Sequence, residues 1–414
     1  MDPNIEKGFA GEEFVNNVAY SSFLKYWCFP GALDIAKDNK EICDLLVIFY
    51  PICLIISVKN YSFKGEYQRY FRKTVDKAIR QINGAEKTLF RNDPVLLKHP
   101  DREVELFEKA RATHVQRIIV NLNQDVKYYK TSIFEDGKHF QIMDAEAWLA
   151  AINELNTLPD FVKYIEKRAA LFNKYPAYIL PRPEHDFGPN DAMALWSEIK
   201  PMGKDEKVTF VLGSEFDLIA LYILNFFEFP KNLSHDNING LTIHIDGQWT
   251  KYEANVIERK NKLEADSYFI DQLVKEFLIH HNGGDKLARL FFKMDRLERA
   301  GFAHKYLQFH KKLTETRVML NRTHYVFEDK GLYIVFMYFS DDYPDDALRN
   351  MIDLSMIHLN YLFDFELKEI AVIGASKTFQ KYSFGFSEGR EDKPSSEELN
   401  LLISMFKDLG WMIK

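Results

Sequence analysis

Glu41-Ile42-Cys43-Asp44-Leu45-Leu46-Val47-Ile48-Phe49-Tyr50-Pro51-Ile52-Cys53-Leu54-Ile55-Ile56-Ser57-Val58-Lys59-Asn60 reads as two short apolar strands folded back on each other. Residues 43–49 and 52–58 are rich in Ile, Leu and Val, and Tyr50-Pro51 separates them, the pattern of a buried β-hairpin. Asp44 lies six residues before Tyr50 and Lys59 eight after Pro51. Closing the turn therefore brings the acid that opens one run to the lysine that ends the next.

Working outward, residues 5–26 read as a helix, with Phe9, Val15, Val18, Ala19 and Phe23 near helical spacing. A turn-rich stretch follows around Pro30-Gly31 and Asp38-Asn39. Residues 68–90 return to helical periodicity through Phe71, Val75, Ile79, Ile82 and Leu89. Residues 115–121 and 140–143 read as strands, and Asp144 is placed to cap a helix that begins Ala145-Glu146-Ala147-Trp148. Helix, strands, helix, strand, strand, helix is an α/β layer order built on one central sheet. Pro176, Pro181, Pro183 and Pro189 then cluster without periodicity. The expected organisation is an α/β domain at 1–165, a Pro-rich linker at 166–190 and a larger α+β domain at 191–414. In the last, strands at Val208–Leu212, Leu241–Ile245, Leu332–Phe339 and 370–373 alternate with helices such as 252–280 and Asp345–Leu362.

The 414 residues are 46% hydrophobic and 28% charged, with 34 Phe and 21 Tyr, which excludes a disordered chain. The apolar run 45–56 is broken at Tyr50-Pro51 and too short to span a bilayer, so no membrane partner is expected. Met1-Asp2-Pro3-Asn4-Ile5-Glu6 lacks the basic start and apolar core of an export signal. Cys28, Cys43 and Cys53 are odd in number and lack metal-ligand spacing, so the expectation is a reduced, cytoplasmic protein. The net charge of −7 argues against a basic coat over the whole molecule, but the charge is uneven. Nine basic residues between Lys59 and Arg91 face only Glu66, Asp76 and Glu86. Arg72, Lys73 and Arg80 are the candidates there for a face that tracks phosphates, with a solvated helix face as the alternative.

Phosphodiester hydrolysis is helped by a metal that neutralises charge on phosphate oxygens and acidifies a water, and by a cation or base near that water. Hard cations take carboxylate and carbonyl oxygens. An acid on one strand and a lysine ending the next are placed to supply this. Around them stand Gly8-Phe9-Ala10-Gly11-Glu12-Glu13-Phe14-Val15 on the first helix, Ser57-Val58-Lys59 and, on the next helix, Ala78-Ile79-Arg80-Gln81-Ile82. These elements, in this order, resemble the PD-(D/E)XK or restriction-endonuclease-like superfamily over about residues 1–155. The resemblance implies a restriction-endonuclease-like α/β sandwich. It makes Asp44 a metal ligand with the Val58 carbonyl as a second. Lys59 becomes the residue that activates the attacking water. Glu12 becomes a direct or water-mediated ligand, and Gln81 a residue that orients a ligand or contacts phosphate. The implied cofactor is Mg2+ or Mn2+.

One position departs from the pattern. Ser57 stands where the family has Asp or Glu, and a hydroxyl is a poor ligand for a hard cation. Either the acid has moved, with Glu41 and Glu66 ahead of Glu13, or metal binding is weak, or the site is inert. The expected function is a metal-dependent endonuclease acting on nucleic acid, DNA before RNA, suited by analogy of fold to bacterial defence against foreign DNA. The C-terminal domain would select targets, regulate, or bind a protein partner or a second copy. The alternative is a catalytically inactive nuclease-fold protein that binds nucleic acid or assembles a complex.

Overall fold

The computed structural model describes residues 3–62, 67–123, 129–180, 208–229, 241–278, 284–388 and 393–413. The chain is a mixed α/β protein that divides into two compact units, 1–259 and 260–414. Among the described residues no helix is long and apolar enough to cross a membrane.

The first unit is built on an eight-stranded mixed sheet. Its strands are β1 (Cys28–Asp34), β2 (Lys40–Phe49), β3 (Ile52–Lys59), β4 (Leu96–Lys98), β5 (Val104–Leu106), β6 (His114–Asn121), β8 (Ser132–Glu135) and β9 (Lys138–Asp144), β7 (Tyr129–Lys130) belonging to a second sheet. The order is β5-β4-β1-β2-β3-β6-β9-β8. β2 and β3 form the antiparallel hairpin, and β3, β6 and β9 run parallel. Every residue of β3 is buried, as a central strand covered on both faces must be. Helices α1 (Pro3–Tyr20) and α2 (Tyr67–Leu89) both pack on β2 and β3. α2 turns Val75, Ala78, Ile79, Ile82, Ala85 and Leu89 inward, a stripe at helical spacing. After β9, Asp144 caps α3 (Ala145–Glu154) by accepting the Ala147 N–H, as expected.

Several elements differ from the sequence reading. The first helix ends at Tyr20 instead of residue 26, because the Ser21 hydroxyl bonds back to the Asn17 carbonyl at 2.7 Å. Ser22 then caps a separate 3-10 turn, Phe23–Tyr26. The turn-rich stretch around Pro30-Gly31 is strand β1, paired with β2 and irregular between Ala32 and Leu33. β2 starts at Lys40, so Asp44 stands inside the strand and does not open it.

The expected linker also fails over its first half. Residues 158–174 form helix α4 (Leu158–Lys174). β10 (Ala177–Ile179) pairs with β7 on one side and with β11 (Val208–Leu212) on the other, in a second sheet ordered β12-β11-β10-β7 with β12 (Leu241–Ile245). Pro176 stands just before a strand that forms sheet hydrogen bonds, so its ring ends α4 without freeing the chain. Residues 181–190, with the other three prolines, lie outside the described residues, as does 191–207. The expected helix 252–280 is instead Gln248–Asn255, Ile257–Glu264, a 3-10 turn Ala265–Ser267 and Tyr268–Glu276. The Asn255 and Ser267 side chains bond to the Lys251 and Glu264 carbonyls at 2.9 and 2.5 Å and interrupt it.

The second unit carries a four-stranded sheet, β13 (Leu320–Phe327), β14 (Leu332–Phe339), β15 (Glu369–Ser376) and β16 (Tyr382–Glu388), in that order. Val335, Met337 and Phe339 of β14 and Ile370 and Val372 of β15 pack with Leu348, Ile352 and Leu359 of the helix Asp345–Leu362. Gly385 lets that helix sit close, since a Cβ there would overlap Ile352.

Candidate functional site

The β2–β3 register runs from Phe49–Ile52 to Leu45–Ile56 and stops one step short of Asp44–Ser57. Side chains take over where the backbone ladder ends. The Val58 N–H donates to Asp44 Oδ2 at 2.5 Å, and the Ser57 hydroxyl lies 3.1 Å from the same oxygen. Asp44 Oδ1 accepts no hydrogen bond from the described residues. On its other edge β3 stays paired with β6 through Lys59–Asn121, and the Leu122 N–H donates to the Lys59 carbonyl at 2.8 Å. Tyr70 of α2 donates to Asn121 Oδ1 at 2.8 Å, which ties that helix to the same end of the sheet.

Lys59 turns back over this end. Its ammonium donates to Ser57 Oγ and to the Val58 carbonyl, both at 2.7 Å, and lies 3.7 Å from Asp44 Oδ2. Asp44, Ser57 and Lys59 are only 6%, 2% and 4% exposed. Burial pulls the Lys59 pKa down, while Asp44 and Glu12 pull it up. Gln81 reaches the cluster from α2, with Oε1 3.2 Å from Ser57 Oγ. The Ser57 hydroxyl has one proton, so it donates to Asp44 or to Gln81 while accepting from Lys59.

Glu12 arrives from α1. Gly11 beside it permits the approach: a Cβ there would lie 2.8 Å from the Asn60 Cβ and 3.1 Å from Leu122 Cδ1. The Glu12 pKa is pushed up to about 7, by burial first and then by the charges of Asp44 and Glu41, with Lys59 and Lys77 opposing. Glu12 therefore shares the electrostatic field of Asp44, Glu41, Lys59 and Lys77, with burial the largest cause of its shift. The structure thus brings Glu12, Asp44, Ser57, Lys59 and Gln81 to one end of the hairpin. Glu41 and Glu13 are exposed, and Glu66 lies outside the described residues. No cluster of three or more His, Cys, Asp or Glu side chains placed to hold a metal occurs among the described residues. The oxygens that could serve a cation are the Asp44 and Glu12 carboxylates and the Val58 carbonyl, which now accepts the Lys59 ammonium. That set suits magnesium, which takes one or two carboxylates and keeps several waters.

The basic residues of α2 and of the bend after it sort themselves. Arg91 pairs with the buried Asp34 at 2.6 Å, and Glu86 is occupied by Arg117 and Lys138 at 2.8 and 3.1 Å. Arg72, Lys73 and Arg80 are exposed and form no ion pair among the described residues. At roughly 100° per residue, Arg80, Lys73 and Lys77 fall opposite the buried stripe of the helix, with Arg72 and Gln81 at its two borders. Two further neighbours of the site escaped the sequence reading. Lys77 donates to the Tyr61 hydroxyl at 2.5 Å and lies 5.2 Å from its ring centre, and both act on the Lys59 charge. The signal was Lys77 standing one helical turn before Gln81.

No protein-family model matches the chain, and a search of curated proteins returns no significant match.

Proposed function

We propose that residues 1–165 form a restriction-endonuclease-like domain of the PD-(D/E)XK type and that the protein is a divalent-metal-dependent nuclease, with DNA the favoured substrate. The observation that carries this reading is convergence. Four sequence segments far apart in the chain contribute Glu12, Asp44, Ser57 with Lys59, and Gln81 to one end of a central hairpin, in the order and on the elements that the superfamily uses. Asp44 Oδ1, Glu12 and the Val58 carbonyl would hold Mg2+ or Mn2+. Bound there, the ion would neutralise charge on the phosphate and lower the pKa of a water. Lys59 orients that water and offsets negative charge as the phosphodiester bond breaks. Gln81 fixes the Ser57 hydroxyl, and Arg72, Lys73 and Arg80 follow the flanking phosphates. Residues 260–414 would serve target selection, regulation or assembly with a protein partner or a second copy.

Ser57 in the place of an acid favours a second reading, a nuclease-fold protein that binds nucleic acid without cutting it. Plasmid nicking and RNA degradation, each with magnesium, manganese or a chelator, separate the two. Cleavage that requires metal supports the nuclease. Binding without cleavage under every condition refutes it in favour of the second reading.

A further inference from the structure

In the second unit, β13 is one of the two edge strands of the sheet, and Arg322 and His324 stand two residues apart on one of its faces. Their cross-strand partners are Met337 and Val335, which belong to the core under the helix Asp345–Leu362. A cation is therefore set at the rim of an apolar layer. The Arg322 guanidinium lies 3.3 Å from the ring centre of Trp411, and its Nη2 is 2.7 Å from His358 Nδ1. His358 Nε2 is 2.7 Å from the Met412 carbonyl. A carbonyl only accepts, so Nε2 carries the proton and Nδ1 accepts from Arg322. His358 is thus a neutral bracket: burial first, then Arg322 and His324, hold its pKa near 4.

Among the described residues no counter-charge faces this cation. The other arginines withdrawn from water pair with carboxylates: Arg168 with Glu215 at 2.7 Å, Arg299 with Asp271 at 2.7 Å, Arg117 with Glu86 at 2.8 Å and Arg91 with Asp34 at 2.6 Å. Arg322 has no carboxylate partner among the described residues, and its Nε is buried without a hydrogen bond. Desolvation alone pulls its pKa down, to about 10. Exposed His324, two residues along the same face, also makes no hydrogen bond among the described residues. A half-buried charge costs free energy unless it is paired, and stacking on an indole offsets only part of that cost.

We propose that Arg322 and His324, with Trp411 behind the guanidinium and His358 orienting it, form a seat for a phosphate group. The guanidinium fork engages two oxygens of a phosphate or a carboxylate. A phosphate keeps a further oxygen for His324, whereas a carboxylate has none left. This site is separate from the hairpin cluster and does not rest on the nuclease reading.

The test is calorimetric titration of the full chain, with chelator present, using inorganic phosphate, adenosine monophosphate, a 5′-phosphorylated oligodeoxynucleotide and acetate. Saturable binding of inorganic phosphate is expected. Tighter binding of the nucleotide, or of the oligonucleotide where Arg322→Gln abolishes the gain, then tells whether the natural phosphate is that of a small molecule or of a strand end. Arg322→Gln should weaken phosphate binding about tenfold or more, the loss of one charged hydrogen bond. Arg322→Lys, which keeps the charge but not the fork, should also weaken it. His324→Gln removes an exposed ring and keeps the test valid if the Arg322 variants unfold; it too should weaken binding. No saturable phosphate binding to the parent, equal affinity in the Arg322 and His324 variants, or acetate binding as tightly as phosphate each overturns the proposal.

Discussion

Ser57 is the residue on which the chemistry of the hairpin end turns. Its hydroxyl fills the position where a carboxylate would share a cation with Asp44, and instead it accepts the Lys59 ammonium at 2.7 Å. Two carboxylates and one carbonyl are the proposed donors, and Ser57→Glu would add a third carboxylate beside them, so it should tighten magnesium binding and raise cleavage at low metal. Metal titration of the parent, Ser57→Glu and Glu41→Ala checks this. Unchanged or lower activity in Ser57→Glu, together with a loss in Glu41→Ala as deep as that of an Asp44 variant, would show that the acid had moved. The five clustered residues were legible in the sequence because each sits at a fixed offset from a strand end or helix turn. Lys77 was signalled only by standing one helical turn before Gln81, and Tyr61 not at all, because their pairing depends on how α2 leans over the end of β3. Arg322 was invisible for a related reason: a lone arginine in an alternating strand looks solvent-facing until Trp411 closes on it from the far end of the unit.

At the scale of single elements, α2 combines a buried apolar stripe with an exposed basic face. If that face tracks a phosphate backbone, neutralising Arg72, Lys73 and Arg80 together should reduce the slope of log affinity against log salt by about 2–3 on duplex DNA. A slope equal to the parent's would return the three to ordinary solvation. β9 supplies a different check. His139 is half-buried, and its Nε2 is buried with no hydrogen bond. Its pKa is held near 4, by burial first and then by Arg168 and Arg117. The unfolded chain takes up that proton near the ordinary value of 6.5, so the contribution to stability is full above that pH and is lost as pH falls toward 4. Denaturant unfolding of His139→Gln should lose about 1–3 kcal/mol less than the parent across that window; equal losses would contradict the assignment. The hairpin, α2, β14 and the helix Asp345–Leu362 were readable because long apolar periodicity overrides local detail. β1, β13 and β16 were not: Pro30-Gly31 mimics a turn, and the other two mix polar residues into edge strands whose pairing comes from distant parts of the chain.

For the whole molecule, the proline cluster misled because composition marks where a chain turns, not where contacts cease. β10 joins the segment after α4 to β7 and β11 in one sheet, so the first unit runs on to Arg259. Fragments 1–256 and 257–414, cut so that the helix Ile257–Glu264 stays whole, should each unfold cooperatively when expressed separately. Fragment 1–165 strips β10, β11 and β12 from β7 and should aggregate; a well-folded 1–165 would argue that the earlier boundary is the physical one. The central claim concerns the end of the β2–β3 hairpin. Its most direct test is cleavage of plasmid DNA with magnesium by the full chain, by Asp44→Asn, which preserves the acceptor for the Val58 N–H, and by Lys59→Met, which preserves most of the packing. Parent cleavage with a loss of about a hundredfold or more in each variant, at unchanged thermal stability to within a few degrees, is the expected result. Parent cleavage that both variants retain would place the chemistry elsewhere and contradict the account.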